Sequence, residues 1–151
     1  MAGSDHLTVE RAGSADVADA EALLAAAGLP LEGAAEALID LGVVARSADG
    51  GVAGAAAVER FGEAGLLRSV VVAPQARGVG LGERLVRAAE DAARAAGISA
   101  LYLVTESAIE WFPRLGYEPL PREEAVPAVG GSIEFTMACS VSGVVMRRVI
   151  A

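Results

Sequence analysis

The sequence predicts one α/β (α+β) domain over residues 1–151, built on a mixed central sheet of six to seven strands flanked by about four helices. Three observations carry this expectation. Between positions 42 and 72, three β-rich runs follow one another, separated by turn signals at 48–51 and 61–65. A strand, a glycine loop, a long helical pattern and a second strand come next, which is the order of a βαβ unit. No internal repeat, low-complexity linker or domain boundary interrupts the 151 residues, a length suited to one core.

Taken in order, Leu7–Arg11 alternates like a short strand, and Ser14 with Asp16 offers a cap and a first-turn acid for a helix running to Gly28. After Leu29-Pro30 a second helical stretch is expected, with Ala35, Leu38, Ile39 and Gly42 on one side. Gly42–Ser47 and Val52–Arg60 read as strands joined by the hairpin signal Ala48-Asp49-Gly50-Gly51. The third strand, Leu66–Val72, is nearly continuous in apolar residues, as a central strand covered on both faces would be. Leu81, Leu85, Ala88, Ala89, Ala92 and Ala96 form a helical pattern closed by Gly97. Leu101–Thr105 is a buried strand, expected to lie parallel to Leu66–Val72. A short helix over Ala108–Leu115 should end at Gly116, before an extended segment from Tyr117. Pro119, Pro121, Pro127 and Gly130-Gly131 predict an irregular stretch, and Gly143–Ile150 a last strand.

Composition removes several function classes. The formal charge of -8 argues against partnership with nucleic acid or an anionic membrane, both of which need a basic face. No apolar run approaches the ~20 residues that cross a bilayer. Met1–His6 shows neither secretory signal nor transit peptide, so a soluble, cytoplasmic protein is expected. The single cysteine, Cys139, allows no internal disulfide and no thiolate metal cluster, and no metal is expected. All twelve cationic residues are arginine, a feature of GC-rich coding, and the absence of lysine excludes Schiff-base chemistry.

Gly78, Gly80 and Gly82 alternate between a buried strand and a helix. Glycine there can take φ > 0 and lets a ligand approach the backbone N–H groups, while the helix N-terminus adds a positive dipole end. A flexible turn is the plain alternative. The spacing G-x-G-x-G departs from the Rossmann G-x-G-x-x-G, and the P-loop needs a Gly-Lys-Ser/Thr ending in a chain without lysine, so both fit poorly. The loop Gln75-Ala76-Arg77-Gly78-Val79-Gly80 resembles the Q/R-x-x-G-x-G/A acetyl-CoA loop of the GNAT superfamily of N-acetyltransferases. Ala108–Tyr117 is similar to that family's A-x-x-F-Y-x-x-x-G-F segment, at the right separation. Within the superfamily the chain resembles the arsenic-resistance-associated N-acetyltransferases, through Leu66–Val70, Leu101–Gly116, and Glu134-Phe135 followed by Cys139, Ser142 and Met146. The expected proline after Cys139 is Ser140, and an arginine expected before Glu134 is missing.

The resemblance implies a GNAT acyl-CoA N-acyltransferase fold and transfer of an acetyl group from acetyl-CoA, as co-substrate, to the amine of a small molecule. That acceptor could be an amino-acid-like arsenic compound. It further implies that Val70, Val71 and Val72 pair with the pantetheine arm, that Arg77, Gly78, Val79, Gly80, Leu81 and Gly82 hold the pyrophosphate, and that Thr105 and Phe112 lie nearby. Direct attack by the amine needs proximity and deprotonation and no covalent intermediate. A tyrosine that often protonates the leaving thiolate in this superfamily is matched by Phe112, which leaves that role to Tyr117, Tyr102, water or the acceptor. For the base, Glu106 at the end of the fifth strand is preferred to Glu59, though both could be solvated rim carboxylates. Arg68 precedes Val70 by two residues and is expected to share its side, facing either an acceptor carboxylate or an internal acid. Cys139 is read as a small buried hydrophobe, and His6 is given no role. A CoA-binding or sensing module without turnover is the second reading. A monomer or homodimer is expected.

Overall fold

The computed structural model describes residues 7–132, 135 and 143–151; His6, Glu134, Cys139 and Ser142, singled out above, lie outside them. Strands β1 (Thr8–Arg11), β2 (Gly42–Arg46), β3 (Val52–Phe61), β4 (Ala64–Val72), β5 (Ala100–Thr105), β6 (Glu118–Pro119) and β7 (Val144–Val149) form one sheet in the order β1-β2-β3-β4-β5-β7-β6. Every neighbouring pair is antiparallel except β4 and β5, which run parallel because a helical crossover joins them. The β2–β3 turn follows from its chemistry: Asp49 Oδ1 accepts the Ser47 hydroxyl at 2.5 Å and the Gly51 N–H at 2.9 Å, while Gly50 takes φ 90°.

Four helices cover the sheet: α1 (Val17–Ala26), α2 (Ala34–Leu41), α3 (Leu81–Ala95) and α4 (Arg122–Val129). In α3, Leu81, Leu85, Ala89 and Ala93 recur every four residues and bury against Leu67, Leu101 and Leu103 on one face. On the opposite face, α1 and α2 bring Leu24 and Leu38 to Val44, Ala55 and Val71. Beside them α4 lays Ala125 and Val129 on Leu66, Tyr102 and Val145. The backbone between α1 and α2 lies on that face, with Leu29 packed on its core and the Pro30 carbonyl over β4 at Arg68.

Several expectations fail in detail. Gly13, not Ser14, precedes the first helical turn, and its N–H donates to Asp16 Oδ2 at 2.9 Å. In α2 the buried positions are Ala34, Ala37, Leu38 and Leu41, whereas Ile39 is 53% exposed; the four-residue apolar repeat starts one position earlier than predicted. Only Phe112–Leu115 of the segment 108–115 is helical, as a 3-10 turn, since Pro113 has no N–H for an α-helical bond. The stretch expected to be irregular contains α4, with Pro127 inside it. Burial of Ala125 and Val129, spaced by one turn, outweighs the hydrogen bond that the proline removes.

Two irregularities shape the centre of the sheet. β4 and β5 pair only through Ala64–Leu66 and Ala100–Tyr102, although the strands continue to Val72 and Thr105. Against β3, Arg68 faces Ala57 and Val71 faces Ala55, so three steps on β4 match two on β3. This is a β-bulge, and within it Ser69 has φ 59°, the one positive value at a non-glycine residue among those described.

Candidate active site

Where β4 and β5 separate, a cleft of about 270 Å³ opens through the sheet. One mouth lies on the α3 side and is walled by Val70, Val72, Gly82, Trp111 and Phe112. The other opens among Leu29, Pro30 and Arg68, under the connection between α1 and α2. The bulge explains this division, because inserting one residue shifts the alternation of side chains along β4. Leu67, Val70 and Val72 therefore pack toward α3, while Val71 packs toward α1 and α2.

The same shift corrects the expectation that Arg68 shares Val70's side. Arg68 points to the opposite face, where its side chain has no exposed surface. Its Nε donates to Ser69 Oγ at 3.1 Å, its Nη2 reaches the Pro30 carbonyl at 3.4 Å, and its Nη1 lies 3.6 Å from Glu59 Oε1. The internal acid foreseen as one partner of Arg68 is thus Glu59, which also accepts the Ser132 hydroxyl. Gly33 leaves room for this arrangement: it takes φ 78°, and a Cβ there would crowd Arg68 Nη1 at 3.0 Å.

Around the glycine loop, Gly78 and Gly80 take φ 86° and 77°, and nothing lies within 4 Å of where their Cβ atoms would be. They are needed for their backbone conformation, and the space in front of them is open. Gly80 leads into α3, whose first intrahelical bond runs from the Arg84 N–H to the Gly80 carbonyl at 3.2 Å. The amides of Leu81, Gly82 and Glu83 consequently have no partner within the helix, which leaves a positive helix end suited to an anion. Arg77 is exposed at the loop and its Nε donates to the Val72 carbonyl at 3.3 Å; Val79 is 41% exposed. Leu81 turns its side chain into the core, so only its backbone can face a ligand. Gly82 differs from the other two, since a Cβ would meet the Trp111 ring at 3.1 and 3.3 Å. Its role is close packing.

Thr105 lines the cleft, and its Oγ1 accepts the Ala108 N–H at 3.0 Å. Phe112 packs edge-on to Trp111, with ring centroids 4.9 Å apart. Glu106 is exposed and lines a separate shallow depression with Glu110 and Arg114, so it is not brought together with Arg68. Neither tyrosine lines the cleft. The Tyr117 hydroxyl donates to Glu90 Oε2 at 2.8 Å, and burial, reinforced by the Glu90 charge, holds that phenol far above its ordinary range. Tyr102 packs with Leu66 and the α4 side chains under the Arg147 guanidinium. Sequence reasoning missed Ser69, Pro30 and Trp111 as parts of the cleft. Two adjacent polar residues, Arg68 and Ser69, inside a strand of apolar ones were the available signal for the bulge.

Among the described residues no group of His, Cys, Asp and Glu could hold a metal, and no helix is long and apolar enough to cross a membrane. The family model of the acetyltransferase (GNAT) domain matches residues 40–119. An amino-acid acetyltransferase of Neisseria meningitidis is 38% identical over 78 residues, covering 50% of this chain and 18% of that enzyme. The chain therefore matches less than a fifth of that relative's length. N-acetylglutamate synthase from Neisseria gonorrhoeae, solved with coenzyme A and N-acetyl-glutamate, superposes with a TM-score of 0.79 at 24% identity, over 96% of this chain and 35% of that one. A Mycobacterium tuberculosis protein solved with CoA and NLQ gives 0.76 at 22% identity, over 94% of this chain and 98% of that one. At these identities the two structures share the fold.

Proposed function

The chain belongs to the GNAT acetyltransferase domain family, and on that premise we propose that it is one such domain over residues 1–151, moving an acetyl group from acetyl-CoA to the amine of a small, amino-acid-like molecule. The observation that carries this reading is the parting of β4 from β5 beside the glycine loop. It leaves an extended backbone edge at Val70, Val71 and Val72 next to a helix end whose amides are open. Such an edge can pair with the amide groups of a pantetheine arm. The loop from Arg77 to Gly82 offers the pyrophosphate N–H groups, and Thr105, Phe112 and Trp111 close the opposite wall.

With the thioester on the α3 side and the acceptor at the Arg68 mouth, the two meet inside the gap. The acceptor nitrogen attacks the thioester carbonyl carbon; the C–N bond forms, the C–S bond breaks, and the electron pair leaves on sulfur. An N–H of β4 at the bulge would stabilise the developing oxyanion. Glu106, exposed between cleft-lining Thr105 and Ser107, is proposed to take the amine proton through water, which can return it to the thiolate. Arg68, buried beside Glu59, is proposed to hold an anionic group of the acceptor by giving up its long contact with the Pro30 carbonyl. Of the twelve arginines, all among the described residues, it is the one that lines the cleft.

The amino-acid acetyltransferase relative supports an α-amino acid as acceptor class, and the resemblance of Leu66–Val70 and Leu101–Gly116 supports an amino-acid-like arsenic compound within it. Thiol release from acetyl-CoA, followed with a panel of amino acids and arsenic-bearing amino acids, tests both. Turnover with at least one panel member is expected. CoA binding without thiol release on any amine would leave the sensing-module reading, which the absence of a tyrosine from the described cleft lining favours. Failure to bind CoA would overturn both.

A further inference from the structure

Beyond the cleft, α3 buries a carboxylate that the proposed reaction does not use. Glu90 is 1% exposed. Its oxygens lie 3.1 Å from Arg87 Nη1, 2.8 Å from Arg148 Nη1 and 2.8 Å from the Tyr117 hydroxyl. Arg87 Nη1 also donates to the Leu115 carbonyl at 3.0 Å. Gly116, with φ 100°, admits the Arg148 side chain, whose Nε would stand 2.9 Å from a Cβ there. One carboxylate thus ties α3, the turn before β6 and strand β7 together.

From this cluster a line of rings leads to the cleft. Tyr117 meets Phe112 edge-on at 5.7 Å, Phe112 meets Trp111 edge-on at 4.9 Å, and Trp111 rests on Gly82. Helix α3 therefore touches both ends of the same aromatic row, at Gly82 and at Glu90, eight residues or roughly 12 Å apart along the helix axis. We infer that Glu90 is a positioning residue for the acyl-CoA side of the cleft, acting through Tyr117 to set where Phe112 and Trp111 stand against the glycine loop. This rests on the proposed function only for the identity of the ligand. The geometry has a physical reason: each edge-to-face ring contact is individually weak, whereas a hydrogen bond to a carboxylate is stronger and directional, so the bond at Tyr117 fixes one end of the row of three rings. Tyr117 is that member, and Glu90 is its anchor.

Trp111 is the chain's one tryptophan, so its fluorescence reports this wall without any assay of turnover. The experiment compares Tyr117→Phe, Glu90→Leu and Glu90→Gln with Asp16→Asn, a substitution on the far side of the sheet that perturbs stability alone. Tyr117→Phe and Glu90→Leu should shift Trp111 emission, ease its quenching by acrylamide, and weaken acetyl-CoA binding about fivefold by calorimetry, with the acceptor KM within about twofold. Glu90→Gln keeps an oxygen for the Tyr117 hydroxyl and should recover most of both signals. Asp16→Asn should leave both unchanged. Equal loss of stability in all four, with Trp111 emission and CoA affinity like wild type, would make Glu90 a structural ion partner and overturn the inference. If wild-type protein bound CoA but transferred no acetyl group, the transfer reading would fall while the emission and affinity arms still decided the role of Glu90. If it bound no CoA, the emission arm would decide alone.

Discussion

The two mouths of the cleft are made of different materials. On the α3 side the wall is backbone, glycine and aromatic ring, with Gly78 and Gly80 in left-handed conformations and Gly82 in contact with Trp111. On the α1/α2 side the wall is made of side chains, Leu29, Pro30, Ser69 and Arg68, and behind it the buried Arg68 guanidinium pairs with Glu59, which Ser132 also holds. A backbone-built surface recognises a group common to many ligands, such as a pyrophosphate, and tolerates changes of side chain around it. A side-chain-built surface recognises one arrangement of charge and changes with single substitutions. The first mouth suits an invariant co-substrate, and the second suits a selected acceptor.

The contrast breaks most sharply at Arg68. Arg68→Ala leaves Glu59 without its cation in a mostly buried place, which should cost about 3 kcal/mol of stability and raise the acceptor KM at least about tenfold, while CoA affinity stays within about threefold. Urea unfolding and steady-state kinetics measure the two losses separately. The pair replacement Arg68→Leu with Glu59→Leu should recover stability without recovering acceptor KM; recovery of both would remove the charge pair from acceptor binding.

On the other side, Gly80→Val forces a β-branched residue to φ 77°, a strain of about 1–2 kcal/mol, and should weaken CoA binding about tenfold with the acceptor KM unaffected. Unchanged CoA titration would take the loop out of the site. Gly82→Ala sets a methyl 3.1 Å from Trp111 and should act more mildly, about threefold on CoA affinity, with a shift of Trp111 emission. An emission spectrum like wild type would mean that the ring accommodates the methyl in place.

The unequal legibility of the two mouths in the sequence has the same origin as their difference in material. Positive φ demands glycine at Gly78 and Gly80, and the approach of the Trp111 ring favours it at Gly82, so the three are visible as a pattern, and the strand order around them follows from turns and periodicity. Arg68 was visible as a charge in an apolar strand, but not its direction, because alternation along β4 is broken by one inserted residue that leaves no spacing signature. Glu106 was placed by its distance along the chain after β5, yet a backbone turn exposes it and leaves Thr105 and Ser107 to the cleft. Helix α4 was hidden by its prolines, which are strong local signals that the burial of Ala125 and Val129 overrides.

The smallest effect on CoA affinity and acceptor KM is expected far from both mouths, where a substitution touches stability alone and serves as a baseline for the rest. The Gly13 N–H foremost, and the Arg46 guanidinium with it, hold the Asp16 carboxyl below the usual carboxylate range against the opposing cost of its burial. A lowered carboxyl stabilises the fold above its unfolded value of about 3.9, and that contribution disappears as pH falls through the folded value. Asp16→Asn should therefore cost about 1 kcal/mol at pH 7 and much less near pH 2, by denaturant unfolding at the two pH values. A cost independent of pH would show that charge at Asp16 contributes nothing.

The three-residue ladder between β4 and β5 also divides the sheet in a sense that hydrogen exchange can see. Strands β1 to β4 make one hydrogen-bonded raft and β5, β7 and β6 another, stitched through Ala64–Leu66 and Ala100–Tyr102. Amides on the β4 edge beyond Leu66 that face the gap have no strand to protect them, and they should exchange with deuterium orders of magnitude faster than those facing β3. A ligand lying in the gap as a non-protein strand would slow these amides first. The molecule thus carries in its own backbone a residue-by-residue readout of how far into the sheet any bound chain extends.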